Sequence, residues 1–322
     1  MTTIRKAPRL DFERFGSLVA LAVLAAASAA LSPHFLQPQN LLNILRQVSY
    51  TGIIGLGMTF VITAGGIDLS VGSLAAFTGS LAVLAMNAAA AKGLSEPSGV
   101  AVAVAVALFV GAAGGAANGL LVTKGRIAPF IVTLGTMAIF RSLSLYMADA
   151  GEFRSQNQLY GSIGSASVLG VPVPVWILLA LAAVLSLALR RTRYGRYVRA
   201  VGSNQRVARY SAIDVDRVRF VAYLLNGLAV GVSATLLSMR FNSVGSSTLG
   251  QSYELDAIAA VIIGGTAMEG GRGTVWGTIV GAVILGVINN MLNMVGVSPY
   301  LQGTVKGLVI IGAVFIQRRR QE

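Results

Sequence analysis

About ten apolar runs, at 15–31, 47–64, 70–91, 99–122, 128–147, 173–190, 218–239, 254–269, 274–294 and 299–317, dominate this chain of 322 residues. A helix needs roughly 20 apolar residues to cross the ~30 Å hydrocarbon core of a bilayer, and inside that core every backbone amide must be paired within the protein. Runs of this length, repeated this often, predict an all-α polytopic membrane protein with about ten transmembrane helices. The mean hydropathy of +0.73 and a charged fraction of 11% exclude a disordered chain and an ordinary soluble domain. The first run follows Arg5, Lys6, Arg9 and Arg14 and contains Ala27-Ser28-Ala29, a pattern shared with signal peptides. It exceeds a usual signal core and further runs follow, so it reads as an uncleaved span.

The net charge of +13 reports topology. Cytoplasmic loops collect Lys and Arg, and with a cytoplasmic N-terminus and ten spans the inner segments hold 19 of the 25 basic residues. Both termini are therefore expected in the cytoplasm. Nine of the 19 lie in one inner segment, 190–219, and the opposite side receives a Gly-, Ser-, Asn- and Gln-rich segment, 148–172. A nucleic-acid surface would need arginines interleaved with stacking aromatics, which the sequence does not offer. No disordered linker divides the chain, so residues 1–322 read as a single membrane domain.

Several chemistries are excluded outright. With no cysteine there are no disulfides or thiolates, and His34 alone cannot build a histidine metal cluster. The carboxylates are widely separated, so no catalytic cluster is visible and metal and catalytic residues are both read as none. No G-x-x-x-x-G-K-[ST] occurs, and the glycine-rich stretch Gly264 to Thr274 lacks its lysine, so the chain does not cradle nucleotide phosphates as a P-loop does.

A faint internal repeat runs through the chain. Gly115-x-x-Asn118-x-x-Leu121 recurs as Gly286-x-x-Asn289-x-x-Leu292, each copy followed by small-Pro-aromatic, Ala128-Pro129-Phe130 and Ser298-Pro299-Tyr300. The same runs carry glycines four apart, Gly111, Gly115 and Gly119, then Gly273, Gly277 and Gly281, a spacing that lets helix backbones approach in lipid. The two copies run in opposite directions across the membrane, so spans 2–5 and 7–10 are expected to form an inverted repeat with a substrate path between the halves.

The stretch ITAGGIDLSVGS, residues 62–73, interrupts the second and third runs. Gly65-Gly66 releases a helix, Asp68 and Ser70 can accept amides of the next one, and Gly72-Ser73 allows close packing in its first turn. Asp68 is thus either a helix cap or part of a polar joint on a water-filled path. Tyr253-Glu254-Leu255-Asp256 opens the eighth run in the same manner.

Gly57 to Ser73, with Tyr253 to Thr266 and Gly270 to Thr274, resembles the membrane permease subunits of bacterial ATP-binding-cassette importers for monosaccharides. That group serves ribose, xylose, arabinose and galactose, with ribose the first expectation here. The resemblance runs from Leu31-Ser-Pro-His-Phe35 through Asn40-Leu-Leu-Asn43 to the last run. It implies a multi-pass inner-membrane location, a second permease copy, a cytoplasmic ATPase partner that binds ATP and Mg (the permease itself taking no cofactor), and a periplasmic sugar-binding protein. It also implies that Gly202, Ser203 and Asn204 through Val207, Arg209, Tyr210 and Ile213 form a short helix that docks on the ATPase. Ala212 departs from the family, which usually carries glycine there.

The residues themselves support a similar assignment. Ser203 or Asn204 can cap a short helix with Val207 and Tyr210 on one face; the same segment could instead lie on anionic headgroups. A sugar in transit needs neutral donors and acceptors, and Asp68, Ser70, Ser73, Asn118, Asn289 and Asn290 are the candidates. Each asparagine could equally be an interhelical hydrogen bond. Competing readings are a proton-coupled secondary transporter carrying protons on Asp68 or Glu254, and a permease for another small solute such as branched-chain amino acids.

Overall fold

The computed structural model describes residues 12–319. The expected cytoplasmic termini, with basic residues 5, 6, 9 and 320, lie outside the described residues. Thirteen helices follow in order: α1 (Phe12–Leu31), α2 (Pro38–Thr63), α3 (Val71–Ala91), α4 (Glu96–Thr123), α5 (Pro129–Met147), α6 (Gln158–Ser165), α7 (Val173–Arg191), α8 (Arg193–Ser203), α9 (Gln205–Tyr210), α10 (Val215–Phe241), α11 (Tyr253–Ile263), α12 (Val275–Met294) and α13 (Pro299–Arg319). Four short strands join them: β1 (Glu152–Arg154), β2 (Ser167–Val168), β3 (Val171–Pro172) and β4 (Ser243–Gly245). β1 pairs antiparallel with β4, and β2 with β3. The first pair ties the α5–α6 connection to the end of α10, and Ser246 N adds a bond to Gly151 O.

Six helices, α3, α4, α5, α7, α10 and α12, are long and apolar enough to cross a membrane. The other four apolar runs fall on α1, α2, α11 and α13. One needs correction: the run 254–269 is not a full span, because α11 has only 11 residues. At 1.5 Å per residue it covers about 16 Å, roughly half the hydrocarbon thickness. Its end is set by backbone chemistry. Gly265 takes φ +89, its N–H bonds Ile262 O, and Thr266 N bonds Val261 O, a closed helix end that needs a left-handed residue. Residues 264–269, Gly-Gly-Thr-Ala-Met-Glu, follow the helix end as a loop.

Packing is organised around two helices. α10 lies against α4, α2 and α3, while α2 lies against α12, α10 and α11. α3 also packs on α4 and α5, and α11 on α12 and α13. Exchanging α2 with α10, α3 with α11, α4 with α12 and α5 with α13 maps this set of neighbours onto itself. Both prolines of the sequence repeat, Pro129 and Pro299, stand at the start of a helix, α5 and α13, where a missing N–H costs nothing.

The glycines show how the helices come close. A Cβ on Gly111 or Gly115 would collide with backbone of α10, at Gly227 and Tyr223 respectively, and one on Gly119 would press on Phe220. In the second copy, Gly286 faces Val48 on α2, the counterpart of α10, whereas Gly277 and Gly281 face Gly264 and Ala260 at the end of α11. Gly273 precedes α12 and abuts the Thr63 side chain. The paired residues of the repeat, Gly115 and Gly286, thus meet corresponding neighbours, while the two four-apart glycine ladders address different partners.

Candidate functional site

Asp68 is the centre of a buried polar cluster. It is 1% exposed, and four donors converge on its carboxylate. Oδ1 accepts from Ser70 N at 3.0 Å and Ser70 Oγ at 2.6 Å, with a longer contact from Asn118 Nδ2 at 3.4 Å. Oδ2 accepts from Asn226 Nδ2 at 2.9 Å. Asn118 Nδ2 also donates to Ser70 Oγ at 2.8 Å, and Tyr223 OH donates to Ile67 O at 2.9 Å. A carboxylate can be held in such a place only if its lone pairs are occupied, and here donors from the joint, α4 and α10 share that task.

This geometry corrects the expectation for helix capping. The one backbone amide Asp68 accepts is that of Ser70, the residue that precedes α3, and Ser70 makes no side-chain cap: its hydroxyl donates to Asp68 and accepts from Asn118. Ser73 Oγ instead turns back to Ser70 O at 2.8 Å. Asn226 completes the cluster and was not anticipated. Its signal was a lone amide in the apolar run 218–239, which by itself looks like any interhelical hydrogen bond.

The remaining path candidates lie elsewhere. Asn290 and Asn40 exchange two amide hydrogen bonds, of 2.8 and 3.1 Å, joining α12 to the start of α2. Asn289 Oδ1 is buried without a hydrogen-bond partner. Two basic residues outside the inner segments find partners: Lys306 Nζ on α13 lies 3.0 Å from Asp256 Oδ2 on α11, and Arg141 on α5 donates to Ser246 O at 2.7 Å and Leu249 O at 3.2 Å.

The joint opens on a cleft. α2 is closed by Gly65, just past its end, at φ +74, with Gly65 N bonded to Ile62 O and Gly66 N to Val61 O, both at 2.9 Å; α11 ends in the same motif. Beyond these ends lies a cavity of about 380 Å³ whose walls include Gly65, Ile67, Phe130, Ile258 and Met268. None of the six polar path candidates is among its lining residues.

Three glycine-bearing segments meet beside it. Gly271 N donates to Thr63 O at 2.9 Å. A Cβ on Gly202, near the end of α8, would collide with that carbonyl, and Cβ atoms on Gly270 and Gly271 would press on Gly202 and Ser203. The end of α2, the end of α8 and the loop between α11 and α12 are therefore locked backbone to backbone, which only residues lacking a side chain permit.

α8 and α9 carry this junction to the surface. Thr192 Oγ1 accepts from Gly195 N, and Asn204 Oδ1 accepts from Arg206 N at 3.0 Å and Val207 N at 3.1 Å, so Asn204 is the cap of α9. Burial holds the Tyr194 hydroxyl above its ordinary pKa, and it donates to Val218 O at 3.1 Å. Ala208 anchors α9 inward, while Val207 and Tyr210 are 57% and 91% exposed. Ser203 and Arg209 are exposed as well, and Gly202 and Ile213 are half-buried. α9 closes with Ile213 N on Ala208 O and Ala212 N on Arg209 O, both at 3.0 Å. This is the left-handed helix end again, and its left-handed residue is Ala212 at φ +57.

Such a molecule is a multi-pass membrane permease: apolar helices around an internal joint, with a helix pair on one face tied to that joint through backbone. The chain belongs to the family of the branched-chain amino acid transport system / permease component, whose model matches residues 40–314. It is 43% identical to the ribose import permease protein RbsC of Bacillus subtilis over 96% of this chain and 94% of that protein. It is 37% identical to the D-allose transport system permease protein AlsC of Escherichia coli, over 96% and 93%, and 30% identical to its L-arabinose counterpart AraH, over 97% and 92%.

Proposed function

We propose that this chain is the membrane subunit of an ATP-driven importer that carries ribose, or a closely related monosaccharide, across the bacterial inner membrane. The observation that carries the proposal is the near-full-length similarity to ribose permeases, which exceeds that to the allose and arabinose permeases. A single permease domain crosses the membrane about ten times with both termini cytoplasmic, the eighth crossing made by the half-length α11 and the loop that follows it, not by a full helix. Spans 2–5 and 7–10 form an inverted repeat, supported by the neighbour set that survives exchange of α2 to α5 with α10 to α13.

In this reading a second permease copy completes the path, a periplasmic protein delivers the sugar, and a cytoplasmic ATPase binds ATP and Mg, so the permease itself needs no cofactor. Val207, Arg209 and Tyr210 on α9 dock on that ATPase. Gly202 passes its movement to Thr63 and Gly271, and so to the walls of the cleft at Gly65 and Met268. The Asp68 cluster serves the path from behind, fixing the joint against α4 and α10 while the sugar passes along neighbouring backbone and apolar surface.

Co-purification with the partner ATPase tests the docking face. Tyr210→Glu with Val207→Glu is expected to abolish recovery of the ATPase while the permease remains folded in the membrane. Undiminished recovery would remove α9 from the interface.

A further inference from the structure

A second cavity, of about 550 Å³, opens between the α4–α5 connection and the start of α10, walled by Val122, Thr123, Arg126, Arg209, Asp216 and Arg219 among others. Three guanidiniums face one carboxylate there. Only Arg209 has an ion-pair partner, Asp216, and at 3.7 Å that pair is loose and largely exposed. Arg219 Nε is sealed from solvent without a hydrogen-bond partner, and neither Arg126 nor Arg219 forms a side-chain hydrogen bond or ion pair among the described residues. Arg126 and Arg209 are exposed and Arg219 is half-buried; three guanidiniums against one carboxylate leave an excess of positive charge around the cavity, and the group that offsets it is an anion with several acceptor oxygens.

We propose that this cavity binds a phosphate group. Planar guanidiniums present paired donors to phosphate oxygens, and the volume exceeds that of the bare ion, leaving room for a substituent. The site lies one turn into α10 and at the end of α4, both helices long and apolar enough to cross the membrane, which places it at the membrane surface. Two sources share the chemistry: the headgroup of an anionic phospholipid, and a soluble phosphate. Because Arg209 lies on α9 and Arg126 on the α4–α5 connection, a bound phosphate would brace the docking helix against the wall that ends at Phe130 in the first cavity.

Native mass spectrometry of the full chain in a non-ionic detergent tests this, with short-chain phosphatidylglycerol as one probe and inorganic phosphate as a competitor. Wild type is expected to retain the lipid, and Arg126→Gln with Arg219→Gln to weaken retention by about tenfold or more, the scale of one lost charge-assisted hydrogen bond. Arg193→Gln, which removes a charge from the same basic segment outside the cavity, should bind as wild type. Arg219→Lys, which keeps the charge but not the planar donors, should fall between and serves if the double variant does not fold. Displacement by millimolar phosphate would support the soluble source, and persistence of the lipid the headgroup. Equal weakening in Arg193→Gln, or binding of neither probe, would overturn the proposal. Because the readout is binding, it stands or falls separately from sugar transport.

Discussion

Two residues make the sharpest predictions. Asp68→Asn places an amide donor against the donor of Asn226 while changing almost no volume. Loss of hydrogen bonds to a buried charge costs roughly 1.5–3 kcal/mol, so the variant should unfold at a lower temperature in detergent. Adding Asn226→Asp, which moves the carboxylate across the same contact, should recover much of the loss; failure of the double variant to recover would mean that the 2.9 Å contact does not set the stability. Ala212→Gly should act in the opposite direction. A left-handed L-residue costs about 1–2 kcal/mol, offset in part by the greater freedom of glycine in the unfolded chain, so a gain of a few tenths to about 1 kcal/mol is expected from thermal melts, and Ala212→Val should destabilise. The positive φ at Ala212 suits the glycine that the resemblance led one to expect there. Asn226 was not legible, because its importance comes entirely from a partner 158 positions away.

At the scale of elements, the junction of α2, α8 and the α11–α12 loop makes the strongest claim. Gly202→Ala forces a methyl group against the Thr63 carbonyl. Overpacking of this kind costs about 1–3 kcal/mol, and the relief available is to move α8 away from α2. Sugar uptake should therefore fall by about tenfold or more while the ATPase still co-purifies; loss of both together would make the residue a folding element only. The helices themselves were readable from apolar length because the bilayer imposes that length directly. α11 was not, because hydropathy does not register that Gly264-Gly265 can reverse the backbone. The cap at Asn204 was readable, since its donors lie two and three residues on; Asp68 was readable only as either a cap or a polar joint, because its other partners come from α4 and α10.

For the whole molecule, the arrangement of charge predicts orientation. The absence of native cysteine allows single labels: Leu169→Cys, 88% exposed, should react with an impermeant maleimide from the outside of intact cells, and Tyr210→Cys, 91% exposed, only after permeabilisation. The reverse pattern would invert the proposed topology. In the proposed function, ATP hydrolysed by a partner drives monosaccharide movement through this chain. Uptake of radiolabelled ribose into proteoliposomes tests it most directly, with permease, ATPase and binding protein present and each omitted in turn. Uptake is expected only when all three and internal ATP are supplied. Uptake by the permease alone under a proton gradient would contradict it and make Asp68 and Glu254 candidate proton carriers.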